Sequence, residues 1–307
     1  MRFCSLAFYI LLLTACTSSA QKEKSVQSTD KIFKLPEVPS IIVTPQERAD
    51  YLAMHYWDIF DFKDTSFIHL PQITEQAFAD YITILNQTSL ETADNGINNL
   101  LKKAEQDSSM FAHFASLSEK YLYEPNSPMR NEEYYIPALE NIIASDKMGE
   151  IYKTRYRHQY KIALRNRKGT KALDFHYSLT PENQSSLYKI NARYILLFFN
   201  NPDCGDCKTV KEQIKGSATI NNLIDKKELK LLSVYPDEDL AIWKQNQSEI
   251  PSSWINSYDK GVIKKQELYD LKAIPTLYLL DKSKMVLLKD VRFEDVEHFL
   301  FQVAGDM

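Results

Sequence analysis

Cysteine is nearly absent: the 307-residue chain has four, and Cys4 and Cys16 fall within its first sixteen positions. A disulfide framework is thereby excluded, and any cross-link in the body of the chain has to be made by Cys204 and Cys207. A basic surface is missing too. Acidic side chains outnumber basic ones, the formal net charge is −4, and Lys and Arg gather only in a mixed helical patch from Tyr152 to Lys168, which argues against nucleic acid as a partner. The apolar run from Phe3 to Leu13 is too short to span a bilayer. No repeat of the tetratricopeptide kind recurs at a fixed period. Paired metal ligands are lacking, since His158, His176 and His298 stand isolated and no second Cys or His pair completes a tetrahedral zinc site. What remains is 44% hydrophobic and 25% charged residues, ordinary for a soluble globular chain long enough for two cores.

The opening "MRFCSLAFYILLLTAC" places Arg2 before the apolar run and small residues after it, the layout of a secretory signal over residues 1–15. Leu13-Thr14-Ala15-Cys16 resembles the bacterial lipobox, in which the cysteine receives acyl chains and becomes the first mature residue. That resemblance implies lipidation at Cys16, attachment to a membrane through the lipid anchor, and a place in the cell envelope. The alternative is a plain cleaved signal with a chance cysteine. Residues 16–43 are polar, rich in Ser, Lys and Gln, with Pro36 and Pro39 and no apolar period, so they read as a flexible tether.

Residues 44–166 read as an all-helical domain. Thr44-Pro45-Gln46-Glu47 has capping-box spacing with proline at the first helical position, and Tyr51, Leu52, His55, Tyr56 and Ile59 are expected to continue one face. Ala77, Phe78, Tyr81, Ile82 and Leu85 form a second stripe; Phe111, Phe114, Leu117, Tyr121 and Leu122 form a third; Ile136, Leu139, Ile142 and Ile143 form a fourth. Turn formers interrupt at "DFKDTSFIHLP" and "YEPNSPMRNEE".

The pattern changes at Gly169, and residues 167–307 read as a second, α/β domain. "ALDFHYSL", "RYILLFFN", "LKLLSVYP", "TLYLLD" and "MVLLKD" are strand-like, whereas "CKTVKEQIKG", "SATINNLIDKKE", "EDLAIWKQNQ" and "FEDVEHFLFQVAG" are helical. Strands alternate with helices and then a hairpin appears, which predicts a mixed sheet with flanking helices.

Cys204 and Cys207 stand three apart where a strand runs into a helix. They admit three readings: a redox pair, half of a metal site, or ordinary packing. Pro202, Asp203 and Asp206 around them indicate a polar turn and not an apolar core. A sulfur at a helix N-terminus meets unpaired backbone N–H groups and the positive end of the helix dipole, which stabilise a thiolate. Cys204 is therefore the candidate nucleophile, and Cys207, one turn on, is placed to attack a mixed disulfide and close the Cys204–Cys207 bond. Such a pair carries two electrons itself and needs no cofactor.

Three separated features give a family resemblance. "GTKALDF" is similar to a "G-x-x-A-P-D-F" opening, with Leu173 in place of proline; "YILLFFN" leads into Cys204-Gly205-Asp206-Cys207; and "YDLKAIPTLYLLD" holds Ile274-Pro275-Thr276. Together they resemble the thioredoxin-fold domain of TlpA/ResA-like thiol-disulfide oxidoreductases. The resemblance implies a cis Pro275 facing the cysteines as part of the catalytic set, with Ile274 and Thr276 in a segment that binds an extended stretch of substrate like an added strand. Trp254 and Tyr258 resemble the insertion that this group carries. Residues 44–166 resemble the helical domain of unknown function that precedes such domains in some bacterial lipoproteins, as in "HYWDIFDF" and "EPNSPMRNEEYY". They are expected to select a partner or shield the redox site.

Two departures bear on mechanism. The buried acid that thioredoxins carry six residues before the first cysteine is Phe198 here, so another proton acceptor or water has to serve. Asp203 and Asp206 oppose the helix dipole and favour the uncharged disulfide over the thiolate, so the couple is expected to be reducing, nearer about −270 mV than the roughly −120 mV of a strong oxidant. The leading expectation is an exported, lipid-anchored reductase of disulfides in exported proteins, recycled by a membrane electron donor. A rival is an envelope binding protein whose helical domain does the work on a redox-like scaffold. A peroxidase of the peroxiredoxin group shares the opening motif, but its Pro-x-x-x-Thr-x-x-Cys approach is absent.

Overall fold

Thr44 accepts the Glu47 N–H at 3.2 Å, Glu47 reaches back to the Thr44 N–H, and helix α1 (Pro45–His55) begins from this closed capping box. The computed structural model to which it belongs describes residues 31 to 305; the expected signal and Cys16 lie outside them. Similar local chemistry opens the next helices. α2 (Pro71–Leu85) starts on a proline, and Ser89, Asp107 and Asn131 cap α3 (Leu90–Ala104), α4 (Ser108–Leu122) and α5 (Glu132–Ala144) through backbone N–H groups of their first turns. α6 (Glu150–Ala163) completes the helical half.

The α2 stripe is buried as the spacing predicts, and Phe111, Phe114, Leu139 and Ile142 join it in one core. The face expected for α1 differs. That helix stops at His55, so the 3.6-residue period does not reach Ile59, which is 54% exposed; Ala49 and Ala53 line the buried side, and Tyr56 and Trp57 turn inward just past the end. Phe33, inside the stretch read as a tether, stacks on Tyr56 at 4.9 Å and meets Trp57 edge-on at 5.2 Å. The polar stretch is thus anchored from Phe33 onward.

The second half is built on a seven-stranded mixed sheet. Its strands are β1 (His176–Ser178), β2 (Gln184–Ser186), β3 (Tyr194–Phe199), β4 (Leu229–Tyr235), β5 (Ile255–Tyr258), β6 (Thr276–Asp281) and β7 (Val286–Val291), in the order β2-β1-β5-β4-β3-β6-β7. β3 runs parallel to β4 and antiparallel to β6, with Leu197 opposite Leu232 on one side and Tyr278 on the other. Every residue of β3 is buried. Ile195, Leu197 and Phe199 face one core with Tyr278 and Leu280; Leu196 and Phe198 face another, which α7 (Gly205–Gly216), α8 (Ala218–Asp225) and α11 (Phe293–Gly305) cover with Ile214, Leu223 and Leu300. Short helices α9 (Leu240–Gln245) and α10 (Val262–Lys265) flank β5 in sequence. An α/β thioredoxin-like sheet preceded by an all-α bundle is therefore the architecture. The segment read as an insertion at Trp254 to Tyr258 contributes β5, a strand between β4 and β1.

From Phe33 onward the two halves form a single compact unit, although their apolar cores are separate. Charged and polar groups join them. Lys289 pairs with Glu132 at 2.5 Å and donates to the carbonyls of Ala163 and Arg165 at 2.8 and 2.6 Å. Arg130 donates to the Asp290 carbonyl at 2.7 Å and pairs with its carboxylate at 3.3 Å. Burial pushes the carboxyls of Glu132 and Asp290 above the usual range, against the pull of Lys289 on the first and of Lys272 and Arg130 on the second. Burial works against the charge of Lys272, yet Asp290 and Asp270 hold it protonated above the ordinary lysine range.

One glycine governs how α1 meets α3. A Cβ on Gly96 would stand 2.4 Å from the Tyr81 hydroxyl and 2.7 Å from the Ala53 carbonyl, the same two groups that hydrogen-bond to each other at 2.7 Å. Helix propensity alone would favour alanine by about 1 kcal/mol. Overpacking of ~1–3 kcal/mol and loss of a buried hydrogen bond worth ~1 kcal/mol outweigh that gain. Gly96→Ala is therefore expected to lower stability by ~2 kcal/mol, read from the urea midpoint by far-UV circular dichroism; an unchanged or raised midpoint contradicts the close crossing.

Candidate functional site

β3 ends at Phe199, and the five residues that follow turn the chain into α7. Asn200 is fixed by its side-chain amide, which donates to the Phe198 carbonyl at 3.0 Å and to Ser233 Oγ at 2.8 Å. Asn201 builds the turn itself. Its side-chain oxygen accepts the Asp203 N–H at 2.9 Å, its carbonyl accepts the Cys204 N–H at 3.0 Å, and its amide donates to Asp237 at 2.8 Å. Neither asparagine was singled out from sequence, although an Asn before Pro202 is a turn signal.

Cys204 occupies the N-cap of α7, where its sulfur accepts the Cys207 N–H at 3.1 Å. The helix supplies to a sulfur what an N-cap oxygen usually receives, a donor aimed at developing negative charge. On its other side the Cys204 thiol donates to the Ile274 carbonyl at 3.6 Å. Cys204 is partly exposed, Cys207 is buried, and both are free thiols. Burial pushes the Cys207 thiol far above its usual range; the hydrogen bond with Cys204 and the Asp206 charge add to this, while a backbone hydrogen bond from Asn201 opposes it.

The Ile274–Pro275 peptide is cis and stands beside the cysteines through that carbonyl. Thr276 begins β6 and is 1% exposed, and its hydroxyl donates to the Ala273 carbonyl at 2.6 Å. Its side chain therefore holds the loop together and presents no surface, because the sheet register that starts at Phe199 opposite Thr276 draws it inward. Phe198, in the place of the missing acid, is fully buried and edge-on to Trp254 at 6.3 Å. A small recess beside Cys207 is lined by Asn200, Pro202, Lys208, Lys211 and Glu249. Lys211 and Glu249 form an ion pair there, and its hydrogen bond holds the Glu249 carboxyl below the usual range. The arrangement can form a mixed disulfide at Cys204, resolve it from Cys207, and lay an extended segment along Ile274 and Pro275.

Residues 12–166 match a family model described as a domain of unknown function, DUF5106. The crystal structure of a thioredoxin-like protein from Bacteroides caccae is similar at 49% identity and a TM-score of 0.87, over 89% of this chain and 99% of that one. The C-terminal domain of an uncharacterized protein from Bacteroides fragilis is 51% identical over 44% of this chain and 98% of its own, with a TM-score of 0.43. A conserved protein of unknown function from Bacteroides fragilis is 34% identical over 44% of this chain and 98% of its own, with a TM-score of 0.42. No curated protein matches. With half its length in the DUF5106 model and nearly all of it shared with the Bacteroides caccae protein, the chain belongs to the DUF5106 family and is a thioredoxin-like protein.

Proposed function

We propose that this protein is a thiol-disulfide oxidoreductase of the TlpA/ResA-like group, acting through Cys204 and Cys207. The observation that carries this is the Cys204 sulfur at a helix N-cap, between the Cys207 N–H and the Ile274 carbonyl. The Cys204 thiolate attacks one sulfur of a partner's disulfide, forming a mixed disulfide and releasing the partner's other thiolate. Cys207, once deprotonated, attacks Cys204 Sγ; the Cys204–Cys207 bond forms, the partner leaves with two thiols, and two electrons have passed to it. Ile274 and Pro275 offer the edge along which the partner lies, and Thr276 fixes that edge from inside.

The domain reading belongs to the same proposal: a signal over 1–15, lipidation at Cys16, a tether from there that ends where Phe33 packs on the helical core rather than at the expected residue 43, a helical domain over 44–166 and a thioredoxin-like domain over 167–307. It makes the protein a lipid-anchored envelope reductase of exported proteins, recharged by a membrane electron donor. No helix among the described residues is long and apolar enough to cross a membrane.

Two outcomes are expected. Equilibration of the purified protein across a dithiothreitol gradient, with alkylation and mass spectrometry of both cysteines, should show one reversible two-electron transition below about −180 mV, and Cys204→Ser should abolish it. No transition would shift the weight to a binding role for the helical half. The raised Cys207 thiol predicts a pH effect whose sign follows from linkage. The unfolded thiol ionises near pH 8.5 while the folded one stays protonated, so the stability that Cys207 contributes is whole below about pH 8.5 and is lost as pH rises above it. Urea midpoints of the reduced protein should fall more steeply from pH 8 to pH 10 than those of Cys207→Ala; parallel slopes would refute it.

A further inference from the structure

The loop that ends at Ile274 and Pro275 is held at two points by the helical half. At its start, Arg165 donates to the carbonyls of Gln266 and Glu267, and Asn166 donates to the Leu268 carbonyl at 2.8 Å. Farther along, the Lys272 ammonium sits 4.6 Å from the centre of the Tyr123 ring, 2.6 Å from Asp270 Oδ2 and 3.4 Å from Asp290 Oδ2. Arg130 grips Asp290 from the helical side through both carbonyl and carboxylate. Two residues beyond Lys272 comes the Ile274 carbonyl that accepts the Cys204 thiol.

These contacts form one chain, from Tyr123 and Arg130 through Lys272 to the reacting sulfur. An ammonium enclosed by two carboxylates and a ring face has exchanged its water for fixed partners, so it locates the backbone that carries it. Without it, Asp270 and Asp290 face each other with one cation fewer, and Ala273 and Ile274 lose the anchor that holds them toward Cys204.

We infer that Lys272 is a positioning residue through which the helical half sets the Ile274 carbonyl against the Cys204 thiol and restrains that sulfur until a partner takes the carbonyl's place. The inference rests on the proposed redox role of Cys204 for its meaning, while its geometry is testable separately. A sulfur released from that carbonyl can approach the carbon of an alkylating agent from a second side, displacing its iodide, so Lys272→Met should react faster at Cys204. An S–H···O hydrogen bond is a weak one and corresponds to a factor of roughly two to five.

The test is iodoacetamide alkylation of the full reduced chain at one neutral pH, with mass spectrometry reading Cys204 and Cys207 separately. Lys272→Met should raise the Cys204 rate by roughly two- to fivefold and leave Cys207 protected, Arg130→Gln should raise it in the same direction, and Lys272→Arg should restore the slow rate. General loosening of the fold would expose both cysteines together, and that result overturns the inference. So does an unchanged Cys204 rate in both Lys272→Met and Arg130→Gln. Insulin reduction by the wild-type protein with dithiothreitol, run alongside, reports on the redox reading itself: failure there with the alkylation pattern intact removes the reductase and keeps the brace.

Discussion

A central strand that is apolar on both faces has to be covered on both faces, and β3 imposes that demand on everything around it. Leu196 and Phe198 require the helices that carry Ile214, Leu223 and Leu300, while Ile195, Leu197 and Phe199 require the loops and short helices of the opposite layer. Each such side chain, fully buried, contributes about 1.5–3 kcal/mol. With both faces closed, the chain can leave β3 only at its end. The turn at Asn200 and Asn201 is therefore where polar chemistry meets the outside, and α7 begins there with a sulfur at its cap.

Burial divides the labour between two chemically identical thiols. Cys204 has a backbone donor on one side and a carbonyl on the other and remains within reach of solvent; Cys207 is enclosed and held protonated. In the proposed exchange the first starts the reaction and the second waits for a mixed disulfide to bring a sulfur to it. Phe198 is apolar and offers no proton acceptor, and the recess beside Cys207 is lined by Asn200, Lys208, Lys211 and Glu249.

Much of this was legible in the sequence, wherever a signal was local. The capping box at Thr44, the α2 stripe, the apolar run of β3 and the Cys204-Gly205-Asp206-Cys207 junction each declare themselves within ten residues. Elements whose stability comes from neighbours did not. β2 is three polar residues that pair only because β1 lies beside them, and β5 reads Ile-Asn-Ser-Tyr, too weak an alternation to announce a strand between two others. Thr276, expected in the substrate-binding segment, has a buried side chain opposite Phe199, a placement that only the pairing of β6 with β3 reveals. The ionic contacts between the halves join residues as far apart as Arg130 and Asp290, and no spacing rule connects them.

Lys289 has a larger consequence than its single ion pair suggests. Its ammonium reaches the carbonyls of Ala163 and Arg165, at the end of α6 and the start of the connection between the halves, while its own strand belongs to the sheet. The last turn of the bundle is thus completed by a residue more than a hundred positions away. If the sheet lets go, the end of α6 loses its donors and Glu132 is left buried without its cation. The helical core and the two cores of the sheet, which have no side chains in common, are in this way tied together by one ammonium.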